Sequence, residues 1–125
     1  MRRQLILAMF LAAGCASTHA TMLDPSSPQR ARVCSAGVKL FTDESKVGGP
    51  YSQVAILTWH DDDPTSGIEK MLKSQRKKAG DLGANGLILG ESAQLQGRSG
   101  AFVSRPAVAI FIPADTARSR AACRS

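Results

Sequence analysis

The sequence has few of the residues from which active sites and metal sites are usually built. It contains two histidines and three cysteines, and it lacks the G-x-S-x-G motif that places a nucleophilic serine on a tight turn. His19 lies in a polar stretch, and the aspartates at 61–63 after His60 are adjacent, so they cannot all point at one ion. We predict no catalytic residue, no cofactor and no metal. The alternative is a metal-binding or small-ligand-binding exported module that uses His60 and residues 61–63.

Aromatic residues and excess charge are also scarce. Aromatic side chains make up 5% of the chain, so we expect a mainly aliphatic core. Of the 16 basic residues, Arg2 and Arg3 belong to an N-terminal segment, and removing them leaves 14 against 10 acidic residues. This mild excess argues against a nucleic-acid partner. Part of it falls in residues 114–125, which we interpret as a basic C-terminal tail.

The longest apolar run is residues 5–13, which is too short to span a bilayer, since a spanning helix needs about 20 residues. With Arg2 and Arg3 in front, it has the form of a secretory signal. It ends in Leu-Ala-Ala-Gly-Cys at Cys15, which resembles a bacterial lipobox. We therefore predict a lipoprotein signal peptide over residues 1–14 and acylation of Cys15.

Two other interpretations of this segment remain open. Cleavage after Ala20 would release a soluble periplasmic protein, and a retained membrane helix is the third interpretation. Similarity to bacterial lipoproteins implies the outer membrane, facing the periplasm, because Ala16 and not aspartate follows the cysteine. Residues 15–35 contain proline, serine and threonine without a period, so we predict a lipidated tether there.

An amphipathic helix is predicted between Ser66 and Gly83. Ser66 and Glu69 have the spacing of a capping box, and Gly83 suits the left-handed position after a helix end. The apolar stripe follows the helical period. It consists of Ile68, Met71, Leu72, Gln75, Ala79 and Leu82.

Three lysines occupy the opposite side of this helix. Lys70, Lys73 and Lys77 are spaced for one exposed face, and Lys77 is placed for an ion pair with Asp81. Charge on the back of a helix usually means only a solvated face. The alternative is that these lysines bind a partner.

Apolar segments at 38–41, 54–59, 86–89 and 107–112 predict four strands. The last is apolar on both faces, which is typical of a central strand. The polar, glycine-containing stretch at 94–100 predicts a loop. The order β-β-α-β-β over residues 36–113 predicts an α+β fold. We expect a four-stranded mixed sheet with one amphipathic helix across one face.

The cysteines allow one internal bridge. If Cys15 is acylated, Cys34 and Cys123 remain in an oxidising compartment, one before the first predicted strand and one after the last. A disulfide between them would join the two ends of the domain. The alternative is two free thiols.

Two parts of the sequence resemble the periplasmic domain of the RcsF family, the outer-membrane sensor lipoproteins of the Rcs envelope-stress phosphorelay. One is VKLFT at 38–42 with VGGPY at 47–51, and the other is KKAGDLGANGLIL at 77–89. The resemblance implies a small α+β domain on a lipidated segment. The pattern departs from the family because no cysteine lies between Cys34 and Cys123.

These observations lead to one main expectation. The chain is predicted to be a non-enzymatic, lipid-anchored envelope protein with two partners, the membrane and another envelope protein. The resemblance adds a role in envelope-stress sensing.

Overall fold

A computed structural model describes residues 17–23, 29–60, 67–90, 93–97 and 100–124. These residues form six strands, two α-helices and three short 3-10 turns. The strands are β1 (Ser17–Met22), β2 (Lys39–Phe41), β3 (Ser52–His60), β4 (Gly86–Leu89), β5 (Ala93–Gly97) and β6 (Gly100–Phe111). The helices are α1 (Ile68–Asp81) and α2 (Thr116–Arg124), and the 3-10 turns are Ser35–Gly37, Glu44–Lys46 and Pro113–Asp115.

Five of the strands form one mixed sheet in the order β1-β3-β6-β4-β2. The β2–β4 pair is parallel, and the β1–β3, β3–β6 and β4–β6 pairs are antiparallel. The first half of β6 extends past the sheet and pairs with β5 in a hairpin. The α+β class and the mixed sheet are as the sequence predicts, but the strand count is larger than predicted.

Strand β6 lies at the centre of the sheet, between β3 and β4. Ala107, Ala109 and Ile110 are almost fully buried, and they alternate between its two faces. The prediction of a central strand at 107–112 is therefore confirmed. Helix α1 covers one face of the sheet here and a second buried cluster lies on the other, so β6 carries apolar residues on both faces.

Helix α1 packs across one face of the sheet and buries Met71, Gln75, Ala79 and Gly80. The buried cluster at this interface is Val38, Val54, Ala55, Leu57, Ala79, Ala84, Leu87, Ala107 and Ala109. Ala79 of α1 and the strand alanines of this cluster are small, which lets the helix approach the strands closely there. All side chains of the cluster are aliphatic, so this part of the core is built without aromatic residues.

The N-terminal end of α1 differs from the prediction, and the C-terminal end agrees with it. Gly67 is the N-cap and has no side chain to cap the free N–H groups; the predicted capping box depends on Ser66, which lies outside the described residues. Ile68 was expected in the buried stripe but is 55% exposed, because burial begins one turn later at Met71. At the other end Gly83 has φ +81°, as predicted.

That helix end is a Schellman motif. The N–H of Gly83 donates to the carbonyl of Gly80 at 2.9 Å, and the N–H of Ala84 donates to that of Ala79 at 3.0 Å. Asn85 follows, almost fully buried, and its amide group holds the end of β6. Its Nδ2 donates to the Ile112 carbonyl at 2.9 Å, and its Oδ1 accepts from the Ile112 N–H at 2.7 Å.

The opposite face of the sheet is only half covered. Phe41, Ile110 and Ile112 form a second buried cluster, and Val47 and Tyr51 from the β2–β3 connection pack against it. Away from this connection the face is more open. The register aligns Ile56 on β3 with Val108 on β6 and Ile88 on β4, and Ile56 is 39% exposed.

Strand β1 corrects the prediction that residues 15–35 form a tether without structure. Ser17–Met22 pairs with β3 along its whole length, from Ser17 opposite His60 to Met22 opposite Ala55. The segment is mostly polar because β1 is an edge strand, so backbone hydrogen bonds hold it and only Ala20 packs against the core.

Two further elements were also missed. Strand β5 occupies most of the stretch predicted as a loop at 94–100, because a two-stranded hairpin needs no apolar run. Helix α2 lies in residues 114–125, which were interpreted as a basic tail. Its alanines and arginines are good helix formers, and Ser119 is its buried residue. The prediction of one helix and four strands is therefore wrong in number.

Candidate interaction surface

The lysine row, Lys70, Lys73 and Lys77, lies on the solvent side of α1, as the sequence predicts. At 3.6 residues per turn these three positions fall within roughly 60° of one another around the helix axis. The opposite side carries Met71, Gln75 and Ala79, which are buried. The three ammonium groups therefore share one exposed flank.

Strand β1 meets α1 beside this flank. The hydroxyl groups of Thr18 and Ser74 are joined by a hydrogen bond of 2.6 Å. Ser74 is four residues after Lys70 and three before Lys77, so it lies in the same stripe of the helix surface. Strand β1 is thus fixed beside the lysine row, a contact that the sequence analysis missed. No periodic pattern of one helix can reveal which strand lies against it.

Positive charge dominates the surface of α1. Lys77 Nζ lies 3.1 Å from Asp81 Oδ2, as predicted, and Arg32 Nη2 lies 3.7 Å from Asp81 Oδ1. One carboxylate therefore faces two cations. Both basic side chains are largely exposed, so these pairs contribute little to stability.

A second group of basic side chains adjoins the end of α1. Arg32, Arg120 and Arg124 border a shallow hollow of about 210 Å³. Arg118 takes a different part, since its guanidinium binds Asp115 Oδ2 at 2.7 Å and the Gly37 carbonyl at 3.0 Å. Of the arginines of α2, Arg118 therefore holds the fold together, whereas Arg120 and Arg124 face solvent.

Cys123, one half of the disulfide, lines the hollow. Cys34 and Cys123 are joined by an S–S bond of 2.06 Å, with 5.6 Å between their Cα atoms, so this pairing agrees with the prediction. The bridge fixes α2 to the segment that precedes β2. That segment crosses α1 at Gly80, where the Val33 N–H donates to the Gly80 carbonyl at 2.9 Å. A Cβ on Gly80 would come within 2.1 Å of the Val33 oxygen, so only glycine fits.

The two histidines lie on neighbouring strands. His19 in β1 is opposite Thr58 in β3, two residues from His60, so both histidines are on one face of the sheet. The aspartates at 61–63 lie outside the described residues. Within the described part of the chain, no three histidine, cysteine or acidic side chains are grouped closely enough to hold a metal ion.

Cys15, the predicted lipid attachment site, also lies outside the described residues, two positions before β1 begins. Among the helices that are described, none has the length and apolar character needed to cross a bilayer.

Comparison with known proteins gives the fold and no more. No protein-family model matches the chain, and no curated protein matches it in sequence. A solved structure that is similar is the crystal structure of FvfA, a Francisella virulence factor, with a TM-score of 0.52. The two chains are 17% identical, and the match covers 76% of this chain and 98% of FvfA. At this identity the similarity supports a shared architecture only.

Proposed function

We propose that the protein is a lipid-anchored component of the bacterial cell envelope, held at the outer membrane and facing the periplasm, whose domain binds another envelope component without catalysing a reaction. The observation that carries the proposal is the pairing of cysteines. Cys34 and Cys123 are joined, which suits an oxidising compartment, and Cys15 is the remaining cysteine. It stands at the end of a short apolar segment, where lipoproteins carry their acylated cysteine.

The proposed partner is a protein of the envelope. Three features offer contacts to it: the lysine row, the hollow bordered by Arg32, Arg120 and Arg124, and the half-open sheet face around Ile56. The resemblance to the RcsF family extends the proposal to envelope-stress sensing. The departure from that family's cysteine pattern is consistent with the different staple seen here, which joins the two ends of the domain.

Intact mass spectrometry of the protein from a bacterial membrane fraction tests the anchor. We expect a mass equal to the chain from Cys15 onward plus acyl groups, and a gain of two hydrogens on reduction of the Cys34–Cys123 bridge. Cys15→Ser is the matched variant, and it should remain unprocessed and carry no acyl group. An unacylated wild-type chain that begins near Thr21 would refute the anchor and leave a soluble periplasmic protein.

The alternative is an exported module that binds a metal or small ligand. What favours it is the sheet register, which brings His19 and His60 to one face. Calorimetry of the purified protein against zinc and other divalent ions tests this alternative, with His60→Ala as the control variant. Absence of heat and of a thermal shift would remove it.

A further inference from the structure

We infer that the lysine row docks on the anionic headgroups of the membrane that holds the Cys15 acyl chains, so that α1 lies against the bilayer surface. This inference rests on the proposed acylation of Cys15. It adds an orientation to the anchored domain, with α1 toward the lipid and the opposite sheet face toward the periplasm.

A short length of chain separates the anchor from α1. Thr18 touches Ser74 through their hydroxyl groups at 2.6 Å, and Cys15 is three residues before Thr18. Three extended residues span at most about 11 Å. The surface of α1 at Ser74 is therefore held within about one Debye length of the headgroup layer, since that length is about 8–10 Å at moderate ionic strength.

The lysines lie on both sides of the contact between Thr18 and Ser74. At 1.5 Å per residue, Lys70 and Lys77 lie about 6 Å and 5 Å along the helix axis from Ser74, on opposite sides of it. Lys73 is adjacent and more outward. The point of attachment is thus flanked by ammonium groups on flexible stems, which suit diffuse contact with phosphate headgroups.

Basic residues outnumber acidic residues on α1. Helix α1 carries Lys70, Lys73, Arg76, Lys77 and Lys78 against Glu69 and Asp81. Asp81 is already shared by Lys77 and Arg32. Each lysine near an anionic lipid surface shifts the docking equilibrium by about fivefold. The anchor removes most of the entropy cost of approach, so a few such contacts suffice to favour the docked state.

The experiment uses the acylated full-length protein, with its mass verified first, reconstituted into two kinds of vesicle. One contains phosphatidylcholine alone, and the other contains equal parts of phosphatidylcholine and phosphatidylglycerol. Limited acetylation of lysines, followed by mass spectrometry, gives the labelling rate at each site. Lys39 is the internal reference, because it lies on β2 at the edge of the sheet farthest from β1.

We expect labelling of Lys73 to fall by at least about fivefold on the anionic vesicles relative to the neutral ones, with Lys39 unchanged. High salt should abolish the difference. In the variant Lys73→Gln/Lys77→Gln, the docking equilibrium constant should fall by about an order of magnitude or more, so Lys70 should lose most of its protection on the anionic vesicles. The matched control Lys39→Gln/Lys46→Gln loses the same charge and should keep it.

Each other outcome overturns the inference in a recognisable way. An acylated protein whose Lys73 is unprotected relative to Lys39 on both vesicles is anchored but does not dock, so the proposed function survives alone. Protection of Lys73 relative to Lys39 that is equal on both vesicles excludes recognition of anionic headgroups. Protection in a native membrane fraction but not on vesicles means that a protein covers the row. A chain without acyl groups removes the anchor and the docking together.

Discussion

The two faces of the sheet are covered in different ways. On one face, α1 packs with Met71, Gln75 and Ala79 buried, and the segment before β2 crosses α1 and is tied to α2 by the Cys34–Cys123 bridge. On the other face, the β2–β3 connection is the part of the described chain that covers the sheet, through Val47 and Tyr51, and Ile56 is 39% exposed.

The two faces therefore differ in how much they contribute to the stability of the fold and in how accessible they are to a partner. The helix-covered face contains most of the fully buried side chains and the covalent bond, so it contributes most of the unfolding free energy. Around Ile56, the opposite face can change or bind at a smaller cost to the fold.

Removing the disulfide should have the largest effect. In Cys34→Ser/Cys123→Ser, which opens a loop with a sequence separation of 89, we expect the free energy of unfolding to fall by up to about 4–5 kcal/mol. Guanidinium chloride unfolding measures this loss. Reduced wild-type protein should match the variant. A loss below about 1 kcal/mol would mean that packing alone holds α2 in place. The disulfide would then contribute nothing to the difference in stability between the two faces of the sheet.

The contrast is tested most directly on β3, where neighbouring residues point to opposite faces. Leu57→Ala empties a fully buried position on the helix-covered face and should cost about 2–5 kcal/mol. Ile56→Ala removes a side chain that is already 39% exposed and should cost about 1 kcal/mol. Urea unfolding of both variants gives the comparison. Equal losses would show that the open face is as important to stability as the covered one.

A third test concerns the sheet itself. Asn85→Ala leaves the buried N–H of Ile112 without its partner and leaves the Ile112 carbonyl with the Asp115 N–H alone, so we expect a loss of about 2–3 kcal/mol. Ser119→Ala is the control, because Ser119 is also buried but donates only to the Thr116 carbonyl in its own helix. It should lose about 1 kcal/mol or less. If the free energy of unfolding falls by the same amount in both variants, the hydrogen bonds between Asn85 and Ile112 contribute no more to stability than that of Ser119.

The smallest effect concerns the β2–β3 connection. The pKa of Tyr51 lies above its ordinary value near 10, mainly because its hydroxyl donates to the Glu44 carboxylate. Ultraviolet titration should show the phenolate forming at lower pH in Glu44→Gln than in the wild type. The pKa is raised in the folded state, so the stability from this bond is present below pH 10 and is lost as pH rises through the folded pKa. Identical titrations would exclude the bond.

The parts of the fold that follow a hydrophobic period could be predicted. The alternation in β3, the stripe of α1 and the two apolar faces of β6 each depend on burial against the core, which leaves a pattern in the sequence. Strand β1 could not be found in this way, because an edge strand is held by backbone hydrogen bonds that any polar sequence can make. Strand β5 was hidden for the same reason.

Some features of the candidate site could be predicted from the sequence, and others could not. The outward direction of Lys70, Lys73 and Lys77 follows from spacing alone, and so does the availability of Cys34 and Cys123 for a bridge. What spacing could not give is the neighbour of the lysine row, since the Thr18–Ser74 contact joins residues 56 positions apart. The clamp made by Asn85 was missed for the same reason, as its partner Ile112 is 27 positions away.

The element from Gly80 to Gly86 has a consequence for how this architecture can diverge in evolution. Gly80 gives room to the crossing segment, Gly83 turns the chain, and Asn85 locks two strands, so each is required by the scaffold. Descendants that keep this element inherit the architecture, whatever they bind. Selection for a new partner can then act on the outward lysines of α1, where substitution leaves this element intact.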